Sequence, residues 1–135
     1  METPMNQQKG LRKYRRVYFD ADNNVKGVII VPGKDEGRLT VPILNLSAGG
    51  IFFTLKREEP FRFNKDDWAT LNCLLGIEDL NFLINLQMRI VWVLDHAGLN
   101  NIGYGCKFEN IPDTVRARIV TYVEDRYTDG TLRVD

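Results

Sequence analysis

Among the side chains of this sequence that could do chemistry, the cations come first. Lys9-Gly10-Leu11-Arg12-Lys13-Tyr14-Arg15-Arg16 carries five cations in eight residues and no acid. A guanidinium fork can grip a phosphate bidentately, whereas a basic run standing alone also reads as a solvated N-terminal arm. The second group is Asn45-Leu46-Ser47-Ala48-Gly49-Gly50, at the end of an alternating apolar and polar stretch. On an extended backbone Asn45 and Ser47 project from one face, and the glycines allow a sharp turn and close approach of another molecule. On its own this is an ordinary β-turn.

Other chemistries find little support. The one histidine, His96, lies in the turn Leu94-Asp95-His96-Ala97-Gly98, where a solvated side chain is expected. A Ser or Cys nucleophile usually needs an imidazole base, and nothing pairs with this one. Asp66-Asp67 and Glu58-Glu59 stand in polar stretches suited to solvated charge. Cys73 and Cys106 are far apart in apolar, strand-like settings, and read as reduced core thiols rather than metal ligands. Neither an enzyme nor a metal protein is expected.

Composition sets the frame for these groups. The 18 basic and 18 acidic residues cancel, so any anion site must come from local clustering. Apolar residues make up 44% and charged residues 27% of 135 residues, which fits one soluble globular domain. No apolar run approaches the ~18 residues of a membrane span. Residues 1–10 are polar, without the apolar segment of a secretory signal. A cytoplasmic protein without membrane insertion is expected.

The elements that must position the two groups read mainly as strands. Alternation over 39–43, 86–92 and 104–108, with β-branched or aromatic runs at 17–19, 28–31, 51–55 and 69–75, is the pattern of half-buried strands. Turn-forming residues separate them at 22–24, 32–37 and 97–101. Strands so closely spaced, with no long helix between them, imply a small antiparallel barrel. Val115, Ile119, Tyr122 and Val123 then recur at helical spacing, with Arg116, Arg118, Glu124 and Asp125 largely on the other side. One amphipathic helix is predicted over 113–127, with Pro112 at its start and Gly130 at its stop.

Taken together, the two groups are specific. Arg12-x-x-x-Arg16 followed by Asn45-x-Ser47-x-x-Gly50 resembles the two-part signature of the PilZ domain, a bacterial receptor module for the second messenger cyclic di-GMP. Arg89-Ile90-Val91-Trp92-Val93 is similar to a late strand of that family, and Gly103-Tyr104-Gly105-Cys106-Lys107-Phe108 to the strand before its C-terminal helix. Gly103-x-Gly105 is not a dinucleotide fingerprint, since no third glycine follows. The resemblance implies a six-stranded antiparallel β-barrel with one C-terminal α-helix. It also implies a flexible arm over 1–10, a stand-alone domain over 11–128 and a tail over 129–135.

By the same resemblance Arg12 and Arg16 bind phosphate and guanine, and Asn45, Ser47 and Gly50 form the opposing surface. Lys13, Arg15 and Gly49 stand beside these residues and join the candidate set. Trp92 shares strand parity with Met88 and Ile90 and so reads as a core aromatic; the alternative is that it edges the guanine site. The amide of Asn45 lacks the charge-assisted bond a carboxylate would make to guanine, so modest affinity is expected. The implied function is a receptor without catalysis or cofactor. It would bind one cyclic di-GMP through a mobile segment 1–16 that folds over the barrel, and signal to an unidentified protein effector in control of motility, pili, biofilm or exopolysaccharide. The alternative is a PilZ-like scaffold that binds no nucleotide and works through protein contacts. A DNA- or RNA-binding barrel is disfavoured, because the cations are concentrated in one arm rather than interleaved with aromatics along a groove.

Overall fold

A computed structural model describes residues 13–33 and 37–135 of the chain. Arg12, the first arginine of the basic motif, lies outside the described residues, as does the expected arm over 1–10.

Among the described residues, eight strands and one α-helix follow each other: β1 (Arg16–Tyr18), β2 (Lys26–Ile30), β3 (Arg38–Ser47), β4 (Gly50–Lys56), β5 (Trp68–Leu75), β6 (Leu86–Leu94), β7 (Asn101–Phe108), α1 (Asp113–Asp129) and β8 (Arg133–Val134). All pairings are antiparallel. The order β2-β5-β6-β7-β4-β3 closes on itself through a β2–β3 pairing, giving a six-stranded barrel. Closure leaves those six strands without a free edge. Inward residues fill the barrel, among them Ile29, Ile43, Phe53, Leu71, Met88 and Tyr104, all essentially without solvent contact. Among the described residues, no helix is long and apolar enough to cross a membrane.

β3 does two jobs. Its first half, from Arg38 to Pro42, pairs with β2, and its last three residues, Asn45 to Ser47, pair with β1. β8 then adds to the free side of β1, with Val17 opposite Val134. The Arg16 N–H donates to the Asp135 carbonyl at 2.9 Å, and the Asp135 N–H returns the bond to the Arg16 carbonyl at 3.1 Å. Arg16 therefore belongs to a strand held on both sides, where a mobile segment reaching residue 16 was expected. The expected tail likewise contains β8.

α1 runs two residues past its predicted end and stops at Gly130, whose φ of 69° is left-handed. Asp129 accepts from the Thr131 N–H at 2.9 Å and from the Thr131 hydroxyl at 2.6 Å, turning the chain back towards β1. Ile119, Tyr122 and Val123 form the buried stripe of the helix, which rests against β1, β3 and β8. Emptying the Ile119 site by substitution with Ala should cost about 2–5 kcal/mol.

Candidate functional site

The register of the sheet brings the two sequence groups together. Arg16 pairs with Ser47, Ser47 with Gly50, and Gly50 with Lys107, one row across β1, β3, β4 and β7. Two residues along, Tyr18 pairs with Asn45, Asn45 with Phe52, Phe52 with Gly105, and Gly105 with Trp92 of β6. Residues two apart on a strand share a face, so both rows lie on the outside of the barrel. The row between them, Val17, Leu46, Ile51, Cys106 and Ile90, is buried.

Over these rows lies an open cleft of about 840 Å³. Lys13, Arg16, Asn45, Ser47, Gly49, Gly50 and Trp92 all line it, so every described candidate except Arg15 is gathered there. Arg15 is turned away. Neighbours on extended backbone point to opposite sides, and its guanidinium lies 3.8 Å from the Tyr127 ring centroid and 3.3 Å from a Glu124 carboxylate oxygen on α1.

The turn after Ser47 is tightly bonded. The Gly49 N–H donates to the Ser47 hydroxyl at 3.0 Å, and the Gly49 carbonyl accepts from the Phe108 N–H at 2.9 Å. The Ser47 hydroxyl thus acts as an acceptor within the turn and keeps its own proton to donate. Gly50 is required by close approach of β7, since a Cβ there would collide with the Cys106 carbonyl.

Trp92 departs from its expected core position. A bulge in the β6–β7 pairing places Ile90 opposite Cys106 and Trp92 opposite Gly105, leaving Val91 as the extra residue. The bulge reverses the parity that Met88 and Ile90 set, and Trp92 emerges 48% exposed. Its ring lies over Gly105, where a Cβ would strike it, and stacks on Phe52 with centroids 5.1 Å apart and planes 24° apart. The result is an aromatic wall beside the polar turn.

Sequence reasoning missed several cleft residues, among them Tyr14, Phe52, Lys107 and Arg116. Phe52 and Lys107 become legible only once the strand register is known. Arg116, expected on the outer side of the helix, is partly buried, and its Nη1 donates to the Ala48 carbonyl at 3.1 Å. Among the described residues, the cleft lining contains four cations, Lys13, Arg16, Lys107 and Arg116, and no acid. Cys106 contributes to the floor, and burial pushes its thiol up to about 12, so it is no nucleophile at neutral pH.

The family model of the PilZ domain matches residues 11–125. The chain belongs to the PilZ family. A comparison with curated proteins finds no match. Solved structures agree on the PilZ-type barrel. The inhibitor of motility MotI/DgrA of Bacillus subtilis superposes with a TM-score of 0.67 at 18% identity, over 89% of this chain and 53% of that one. MrkH of K. pneumonia, in complex with c-di-GMP, gives 0.67 at 16% identity, over 88% and 52%. The PilZ domain of YcgR from Escherichia coli, with c-di-GMP, gives 0.61 at 17% identity, over 90% and 98%. The chain thus spans about half the length of the first two and nearly all of the isolated YcgR domain. The PilZ match ends at Asp125, so the last turn of α1 and β8 lie beyond it.

Proposed function

We propose that the chain is a cyclic di-GMP receptor that binds the dinucleotide in this cleft and passes the signal to a protein partner. The observation that carries the reading is the convergence of Arg16, Asn45, Ser47 and Gly50 on one cation-lined cleft. Membership of the PilZ family supports it. So do the MrkH and YcgR structures, which are of complexes with c-di-GMP.

Each residue has a chemical task in this reading. Arg12 and Arg16 offer guanidinium forks to phosphate oxygens and to the O6 and N7 acceptors of guanine. Asn45 meets the polar edge of a guanine with an amide that both donates and accepts, and Ser47 donates its hydroxyl proton. Gly49 leaves room for the ligand against the backbone, and Gly50 lets β7 lie close beneath the turn. The Phe52–Trp92 pair offers an exposed aromatic face to a base. Lys13 adds attraction without bidentate geometry. No catalytic role is assigned to any residue, and output comes from the altered surface.

Calorimetric titration with cyclic di-GMP, alongside a short single-stranded oligonucleotide, tests the reading. Saturable binding of the dinucleotide at one per chain is expected, and none of the oligonucleotide. Arg12→Ala or Arg16→Ala should each weaken binding by roughly ten- to a hundredfold, the worth of a charged hydrogen-bonding partner. Thermal stability of Arg16→Ala should change little, because its side chain faces the cleft rather than the core. A wild-type chain that ignores cyclic di-GMP would leave the protein-contact scaffold in its place, and an endpoint of two would overturn the one-ligand stoichiometry.

A further inference from the structure

The arginines outside the cleft are mostly satisfied by acids. Arg15 meets Glu124, Arg57 meets Asp95, Arg89 meets both Asp66 and Glu109, Arg126 meets Asp129, and Arg133 meets Asp135. Among the described residues, Lys13, Arg16, Lys107 and Arg116 form no ion pair; Lys26, Arg38, Lys56, Arg62, Lys65 and Arg118 form none either, but these lie scattered, whereas the first four share one cleft. Gathering like charges destabilises a folded state unless an anion offsets the repulsion. Two of the four, Arg116 and Lys107, belong to neither sequence motif.

We propose that Arg116, at the start of α1, is a further phosphate-binding residue of this cleft, with Lys107 as a second cation on the barrel wall. The proposal rests on the reading of the cleft as a cyclic di-GMP site. Arg116 is bracketed by both motifs. It donates to Ala48, inside the Asn45–Gly50 turn, and its guanidinium carbon lies 5.8 Å from the ring centroid of Tyr14, inside the Arg12–Arg16 segment. One bond to Ala48 uses one of five guanidinium donors, so the group is held in place while others remain for an anion. Such anchoring lowers the ordering cost of binding. Lys107 stands three strand positions from Arg16 in the same row, about 14 Å at the usual spacing between strands. Long side chains reaching inward from both ends of that row can close on a compact diphosphate.

This assignment makes the helix part of the binding site. The same helix holds Arg15 through Glu124 and Tyr127 near its other end. A ligand that pulls on Arg116 therefore acts directly on α1, which offers a surface for output that neither motif reaches.

Titration of Arg116→Gln, Arg116→Ala and Lys107→Ala with cyclic di-GMP, each with a melting curve, decides the matter. Wild-type chain is titrated first: failure to bind defeats the reading of the cleft itself, and the proposal with it. Given wild-type binding, Arg116→Gln, which stays polar but carries no charge, should bind about tenfold or more weakly with a smaller loss of melting temperature than Arg116→Ala. Its affinity should also fall less steeply with salt than that of the wild type. Lys107→Ala should lose a few-fold. If Arg116→Gln binds like the wild type while Arg116→Ala loses both affinity and stability, Arg116 is a strut for the turn and the proposal is overturned. A Lys107→Ala variant of wild-type affinity removes Lys107 from it.

Discussion

Trp92 and Cys106 show how much one residue's outcome depends on its neighbours. Both sit on strands that alternation in the sequence marks out, yet one emerges over the cleft and the other is buried beneath it. Trp92 shares the chain with one other tryptophan, Trp68, which does not line the cleft. Cyclic di-GMP should therefore change tryptophan emission in the wild type and in Trp68→Phe, but not in Trp92→Phe. A signal that survives Trp92→Phe would place the base elsewhere. Cys106 bears on alkaline stability, because burial raises its thiol from 9.0 to about 12. The folded chain then holds this proton where the unfolded chain loses it. Its contribution is complete below the ordinary thiol range and is lost as pH climbs towards 12. The stability gap between wild type and Cys106→Ala, measured by urea unfolding, should narrow between about pH 8 and about pH 10.5. A constant gap would mean that the thiol is not shielded.

At the scale of elements, the link between β1 and β8 is the least expected feature. β8 has only two residues, too few for hydrophobic periodicity to reveal, and the PilZ match ends before it. Yet both backbone groups of Arg16 bond to Asp135, so β8 steadies the strand that presents a motif arginine. Removing residues 131–135 should lower stability by at least about 1–3 kcal/mol, the worth of the two Arg16 backbone hydrogen bonds alone. It should also weaken cyclic di-GMP a few-fold, because Arg16 would then be ordered by the ligand rather than in advance. Loss of stability with unchanged affinity would show that β8 braces the fold without positioning Arg16. The helix is legible in the sequence, because its apolar spacing, Pro112 and Gly130 agree with one another. The rotation of Arg116 towards the barrel depends on how the helix docks, which periodicity does not encode.

For the molecule as a whole, net charge conceals the distribution that matters. The chain sums to zero, but acids pair with most arginines away from the cleft and leave it positive. The expectation that the basic segment closes on its ligand takes a narrower form here. Arg16 and Tyr18 are already in β1, so their amides should resist hydrogen exchange with or without cyclic di-GMP. Slowing on binding should be confined to residues before Arg16, where Arg12 would meet the ligand. Equal exchange of that segment in both states at saturating ligand would remove closure from the mechanism.

Alternation, turn residues and one helical period act locally and agree with one another, so the barrel and its helix are legible in the residues. The spacing that marks the PilZ family likewise groups Arg16, Asn45, Ser47 and Gly50. Which further residues join them depends on how the elements pack. The outward turn of Trp92 follows from a one-residue bulge, and the pairing of Gly50 with Lys107 from the β4–β7 register. The reach of Arg116 to Ala48 follows from the packing of α1 on the barrel. Register, bulge and docking angle are set by the fit of distant surfaces to one another, and local spacing carries no record of that fit.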